Sequence, residues 1–529
     1  MHTKMRKFIS FLFVFVCLMP LFAAQYKIAS VIYDIEGCGH WIFGRTQEYA
    51  LANAVPVDTK TTFDNEEALN IYLNDLEKHL SNLRAFETIL LSYEVIDEDY
   101  TRDIGPLFSV NLNIYVKDSF HLFAIPGPKY SSNSGLTLKL KIKDSNFLGG
   151  LNTLNSDIYF QLPTGESDND DTEFGFNCSA DYPFKAGIFD ALWLNDLGVS
   201  YTVGDGKPEF DISTGLRFTL PFERASLIFE TNQSFANDND YKKYDDNLYF
   251  TNDFKISAPV KLGTIDYFGK VNWTPYTVTT LYWDIDGLDK NNKALASPVT
   301  TVGHKLSFGR TDWDQNLRTG FTISVDNYYT YNIKLKKFEP VIQLETAAFK
   351  KIDLFKDAYV FRNFGIAVNT MAFTYLFTPD NENEIFGYGK KIGAYLRGIR
   401  DSQDYEGTSY SSLKPTTAFI LNLDFPIHIF TTNFKKSFMR YMNFDLQASP
   451  FIDIALCNNK ITKTMFDPKD GFYAAGLELI VYPLKWSGIT IRGSVGIDVG
   501  RKFLRDHINL DWREGVSKKE FSIGFGLHY

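Results

Sequence analysis

Residues 136 to 143 read Leu136-Thr137-Leu138-Lys139-Leu140-Lys141-Ile142-Lys143. Four aliphatic side chains alternate with one threonine and three lysines, so a strand built from them has one wholly apolar face and one polar face. In a membrane barrel the aliphatics face lipid and the lysines face the lumen. In a soluble sandwich the same strand has one buried and one wet face, so repetition must decide. Repetition is present. Phe321, Ile323 and Val325 alternate with Thr322 and Ser324; Leu477, Leu479 and Val481 with Glu478 and Ile480; Ile523, Phe525 and Leu527 with Ser522, Gly524 and His528. Asp- and Asn-rich stretches at 165–172 and 237–247 separate such runs, as loops outside a membrane would. From 135 to 529, roughly 395 residues at about 25 per strand and connection make about 16 strands, given ~9–11 residues per crossing.

Composition agrees. Aromatic residues are 16% of the 529, with Phe 47, Tyr 30 and Trp 7, which suits strands and the aromatic girdles of membrane barrels. A mean hydropathy of -0.18 and no apolar run of 18 residues beyond the N-terminus argue against a helical membrane protein. The net charge of -10 repels phosphates and argues against a nucleic-acid partner.

The first 24 residues read as a secretory signal peptide: Lys4, Arg6 and Lys7 precede the apolar stretch Phe8 to Phe22, and Ala23-Ala24 supplies small residues for cleavage. Residues 25–119 read as a small α+β module of order β-α-α-β-β. Val31, Tyr33 and Ile35 alternate in a first strand, and a short helix is expected around Gln47 to Asn53. A longer helix starts near Asp64, which with Glu67 resembles a capping box, and carries the stripe Leu69, Tyr72, Leu73, Leu76, Leu80 and Leu83. Two strands close the module, one through Ile89, Leu91, Tyr93 and Val95 and one through Val110, Leu112, Ile114 and Val116. Residues 120–134 are expected to be a linker, and 135–529 the barrel.

No catalytic motif is present: no G-x-S-x-G elbow, no phosphate-binding G-x-x-x-x-G-K-[ST] loop and no H-E-x-x-H zinc helix. The chain is not expected to be an enzyme or to need a cofactor or metal. Cys38, Cys178 and Cys457 are scattered and make no disulfide framework, and Cys38 beside His40 has no second pair to complete a metal site. Asp168, Asp170 and Asp171 read as a solvated loop rather than a calcium site.

An exported β-α-α-β-β module followed by a barrel of about 16 strands resembles the BamA/TamA superfamily, outer-membrane proteins with periplasmic POTRA domains that insert or translocate polypeptides. Four local sequences carry the resemblance, in family order. Gly135-Leu136 followed by Asp144-Ser145-Asn146-Phe147-Leu148-Gly149-Gly150 is similar to the family's first hairpin. Leu396-Arg397-Gly398-Ile399 is similar to the V-R-G-[FY] tip of the sixth extracellular loop, which in the family folds back into the lumen. Phe451-Ile452-Asp453-Ile454-Ala455 resembles the F-x-D-x-G strand that meets that tip, with Ala474-Ala475-Gly476-Leu477 resembling the next strand. Phe521 to Tyr529, ending on an aromatic residue after Gly526, resembles the closing strand. Ile399 stands where the family has an aromatic residue and Ala455 where it has glycine.

The resemblance implies a short, single-module member. It implies a barrel seam between the strand of Leu136, Leu138 and Leu140 and the strand Phe521–Tyr529, weakened by Gly524 and Gly526. Asp453 shares a strand face with Phe451 and Ala455, and a carboxylate on a membrane strand belongs in the lumen, so an ion pair with Arg397 is expected. The implied role is assembly, insertion or translocation of polypeptides in the outer membrane, with the module in the periplasm. Partners would be unfolded or nascent outer-membrane or secreted polypeptides, outer-membrane lipid and periplasmic accessory proteins. A passive porin or ligand transporter, with the module as plug or spacer, is the alternative.

Overall fold

The computed structural model describes residues 24–38, 45–101, 105–131, 135–162, 172–204, 207–237, 248–265, 269–285, 293, 295–355, 358–377, 389–400, 402, 409–436, 439–459, 463–485, 490–507, 515, 517 and 519–525. The signal peptide through residue 23, His40, the acids at 168, 170 and 171, and Gly526 and Tyr529 lie outside them. The chain divides into two units, Met1–Asp118 and Ser119–Tyr529.

The first unit runs β1 (Gln25–Glu36), α1 (Glu48–Ala54), β2 (Thr62–Phe63), α2 (Glu66–Asn82), β3 (Phe86–Asp99) and β4 (Leu107–Asp118). Its sheet has the order β2-β1-β4-β3, with β1 and β4 parallel and β3 antiparallel to β4. The expected three-stranded sheet is thus extended by the two-residue β2. The α2 cap is Asn65, whose side chain accepts from the Ala68 N–H at 2.8 Å; the expected Asp64 sits one residue too early. The stripe works as read: Leu69, Leu73, Leu76 and Leu80 are buried, as are Val110, Leu112, Ile114 and Val116 on β4. Tyr72 packs instead on Phe63 at 5.1 Å between centroids, and its hydroxyl accepts from the Asp58 N–H at 2.7 Å.

The second unit is a closed antiparallel barrel from β5 (Leu122–Ser131) through β6 (Gly135–Asp144) and β7 (Leu154–Leu162) to the strand Glu520–Phe525. Leu122–Ser131 are therefore a strand where a linker was expected, since β5 pairs with β6 from Leu122 opposite Asp144 to Ser131 opposite Gly135. Pro126-Gly127-Pro128 lie within this strand, opposite Leu140, Lys139 and Leu138, although proline and glycine ordinarily interrupt strands. Three pairs of segments are collinear pieces of single strands: Glu173–Ala180 with Tyr182–Ala186, Leu248–Ser257 with Val260–Ile265, and Thr417–Asp424 with Ile427–Thr431. Taking these together, and setting aside the two-residue Thr464–Met465, leaves eighteen strands among the described residues where about 16 were expected. The earlier start and connections shorter than assumed account for the excess.

Leu138, Ile158, Phe176, Ile212, Phe254, Val302, Ile323, Ile452 and Leu479 are exposed on the outside of the barrel, the apolar outer face expected of a membrane barrel. Polar partners of the same strands face in, as where Lys139 meets Asp157 at 2.8 Å. Among the described residues, no helix is long and apolar enough to cross a membrane.

Candidate functional site: the lumenal clasp of Arg397

Strand Phe444–Asn459 alternates strictly, with Asp445, Gln447, Ser449, Phe451, Asp453, Ala455, Cys457 and Asn459 buried inside the barrel. The loop between strands Asn363–Tyr375 and Thr417–Asp424 returns into this interior. Its Ile392 N–H donates to Leu413 O at 2.9 Å and its Tyr410 N–H to Ser402 O at 2.9 Å, so it is internally hydrogen-bonded rather than loose. Ile392, Leu396, Ile399, Tyr410 and Leu413 then join wall residues such as Met371, Ile420, Ala455 and Phe472 in one apolar cluster. Ile399 fills its place as an aliphatic core residue, and the small Ala455 lies wholly buried beneath the loop.

Apolar burial delivers Arg397 to the wall with 2% of its surface exposed. A guanidinium so buried must have every donor matched. Its Nε donates to Asp453 Oδ2 at 2.9 Å and its Nη2 to Asp453 Oδ1 at 2.7 Å, while the Arg397 backbone N–H donates to Asp453 Oδ2 at 2.8 Å. Nη1 donates to Asp424 Oδ1 at 2.7 Å, with Nη2 3.2 Å from Asp424 Oδ2, and Glu478 Oε1 lies 3.3 Å from Nη1. The face of the planar group lies 3.8 Å from the centroid of the Phe451 ring. Asn422 Nδ2 donates to Asp453 Oδ1 at 2.7 Å, and Arg492 Nη1 shares Glu478 Oε1 at 3.2 Å. The fork of Arg397 thus bridges two carboxylates as no lysine could.

Gly398 comes next and must be glycine. Its φ is +85°, and a Cβ there would lie 2.5 Å from Ile497 N and 2.6 Å from Gly496 C. Gly496 answers it from the wall, and Gly476 leaves room for the Phe451 ring, which a Cβ would meet at 2.5 Å. The Gly398 N–H donates to Glu520 Oε2 at 2.9 Å, and Glu520 also pairs with Arg400. Residues 397 to 400 therefore touch five consecutive strands, at Asp424, Asp453, Glu478, Gly496 with Ile497, and Glu520 of the closing strand.

Leu396, Arg397, Gly398, Ile399, Phe451, Asp453 and Ala455 come together at this clasp. Leu136, Leu138 and Leu140 do not form the seam, because the strand Glu520–Phe525 pairs with Ile491–Asp498 on one side and neighbours β5 on the other. They lie one strand in, with Leu138 and Leu140 facing outward and exposed. Gly524 lies on that closing strand, opposite Arg492 of strand Ile491–Asp498. Sequence reading missed Asp424, Glu478 and Glu520. Each is a lone acid on an alternating apolar strand, and the rule that places Asp453 in the lumen applies equally to them.

Among family models and among curated proteins, nothing matches the chain. Among solved structures, the chain is similar to CdiB from Acinetobacter baumannii at 11% identity, covering 94% of this chain and 73% of that one with a TM-score of 0.47. It is similar to BamA from Haemophilus ducreyi lacking POTRA domains 1-3 at 12% identity, covering 95% and 85%, with a TM-score of 0.35. It is also similar to CdiB from Escherichia coli at 8% identity, covering 96% and 91%, with a TM-score of 0.39.

Proposed function

We propose that this chain is a single-module member of the BamA/TamA superfamily that assembles, inserts or translocates polypeptides at the outer membrane. The supporting observation is the lumenal clasp. A passive pore gains nothing from a loop tip that closes over five strands and ends on the strand that closes the barrel, whereas a barrel that opens beside that strand needs its interior state tied to its seam. On this reading the wall meets outer-membrane lipid, and the module lies in the periplasm, where it receives client segments by strand addition. The edge strand β3 suits that role, because it ends the module's sheet and its Leu90 and Ile96 are 60% and 56% exposed. Periplasmic accessory proteins could dock there too. No catalytic role or cofactor is proposed.

Native co-purification, compared with outer-membrane protein composition after depletion, tests the reading. Expected are bound nascent outer-membrane or secreted proteins and their loss from the membrane, with the loss reproduced by Arg397→Ala. An unchanged outer membrane together with reduced uptake of small solutes would favour the porin or ligand-transporter alternative.

A further inference from the structure

Strands Val299–Asp314 and Leu317–Asn332 form a hairpin whose end leaves the wall. On one side, pairing with strand Gly269–Trp283 stops at Phe308. On the other, pairing with strand Lys337–Asp353 stops at Gly320. Beyond those points, among the described residues, Gly309–Asp314 have strand partners only on the same hairpin, from Gly309 opposite Thr322 to Asp314 opposite Leu317. Glycines mark the bend. Gly309 has φ +105° and Gly320 φ +100°, and a Cβ on either would lie 2.2 Å from a carbonyl oxygen of the opposite strand. No other residue fits there.

The bent end crosses the lumen, away from the loop-tip clasp, to a wall several strands distant. Asn316 Nδ2 donates to Asp445 Oδ2 at 2.6 Å, and Gln447 Nε2 donates to Asn316 O at 3.1 Å. Trp313 meets Tyr482 edge-on at 6.4 Å between centroids. Asp445, Gln447 and Tyr482 are buried inward-facing residues of their strands. A two-stranded ribbon is marginal by itself, so these contacts, together with nearer ones from Lys351 Nζ to Asp314 Oδ2 at 3.0 Å and from Asn363 Nδ2 to Gln315 Oε1 at 3.1 Å, set its position. A barrel of 16–18 strands is too wide for its own wall side chains to fill and otherwise holds an aqueous channel.

We propose that residues 309–320 are a stopper that closes this end of the lumen to solutes, hinged at Gly309 and Gly320 and latched by Asn316 and Trp313. The stopper would keep the membrane sealed while the barrel handles other cargo, and it stands whether or not the clients proposed above are right.

Single-channel recording of the full-length protein in planar bilayers tests this. Wild type should be mostly closed. Asn316→Gly, which removes the side chain and suits the left-handed turn (φ +63° at Asn316), should raise the open probability by roughly tenfold, equivalent to about 1.4 kcal/mol of latch, and adding Trp313→Ala should raise it further. In the same membranes, a short bis-maleimide joining Asn316→Cys to Gln447→Cys should silence openings seen before crosslinking. If a heat-modifiable, folded Asn316→Gly/Trp313→Ala barrel is as quiet as wild type, or if the crosslinked protein conducts as freely as the uncrosslinked one, the stopper is refuted. Loss of client assembly in these variants would bear on the proposed function and leave the conductance result to decide this one.

Discussion

Arg397 and Asp453 lie 56 residues apart in the chain and meet through three hydrogen bonds, two from the guanidinium and one from the Arg397 backbone N–H. The backbone bond matters because it survives any side-chain substitution at 397 that leaves the loop in place. Side-chain and main-chain contributions to the clasp can therefore be separated.

Arg397→Lys should loosen the loop, since a point charge cannot bridge Asp453 and Asp424 together. Arg397→Ala leaves Asp424, Asp453 and Glu478 buried without it, at about 3–5 kcal/mol. The strands do not depend on the pair, so the barrel should remain heat-modifiable while the loop becomes cleavable by protease. An Arg397→Ala loop as resistant as wild type would count against the clasp, as would failure of Arg397→Cys and Asp453→Cys to crosslink under oxidation.

Gly496→Ala should release the same loop with every charge intact, because the new methyl would sit 2.6 Å from the Gly398 Cα. Gly493→Ala on the same strand is the control, its nearest neighbour being Ser522 O at 4.0 Å. Equal protease resistance of the two variants would show that close backbone approach is not what seats the tip.

Removing Phe521–Tyr529 should prevent closure, because it leaves strand Ile491–Asp498 and β5 with unpaired backbone in lipid at several kcal/mol per group. Glu520→Ala should be milder, lowering the temperature at which the barrel loses its folded mobility on a gel by freeing Gly398 and Arg400 from the closing strand. A folded, membrane-inserted barrel after the deletion would contradict closure by this strand.

Residues 24–118 should fold as an isolated fragment with mixed α/β circular dichroism and one cooperative transition, their core being internal to the unit. Burial, and then the hydrogen bond its hydroxyl donates to Glu66 Oε1 at 2.8 Å, push the Tyr93 phenol up to about 12. The folded state thus favours the neutral phenol. Its contribution is fully present below the unfolded value of about 10 and is lost as pH rises toward 12. Denaturant titrations from pH 9 to 12 should show a decline that Tyr93→Phe flattens; parallel curves for the two proteins would rule the linkage out.

Alternation along the chain sufficed for the barrel, because a strand in a lipid-facing wall has only two sides and the sequence states which residue goes to each. The same logic put Leu69, Leu73, Leu76 and Leu80 on one face of α2, and Asp453 inside. It could not see β5, which carries Pro126, Gly127 and Pro128 and is recognisable only from its pairing with β6. Nor could it rank the acids around Arg397: Asp424, Glu478 and Glu520 are far apart in sequence, and only closure of the sheet brings their strands side by side around one loop tip. Gly309 and Gly320 carry no sign of a bend in the sequence alone. That they fall within two residues of each other in the register of one hairpin, Gly309 opposite Thr322 and Gly320 opposite Thr311, and so bend a ribbon inward, depends on two strands at once and is written in neither of them alone.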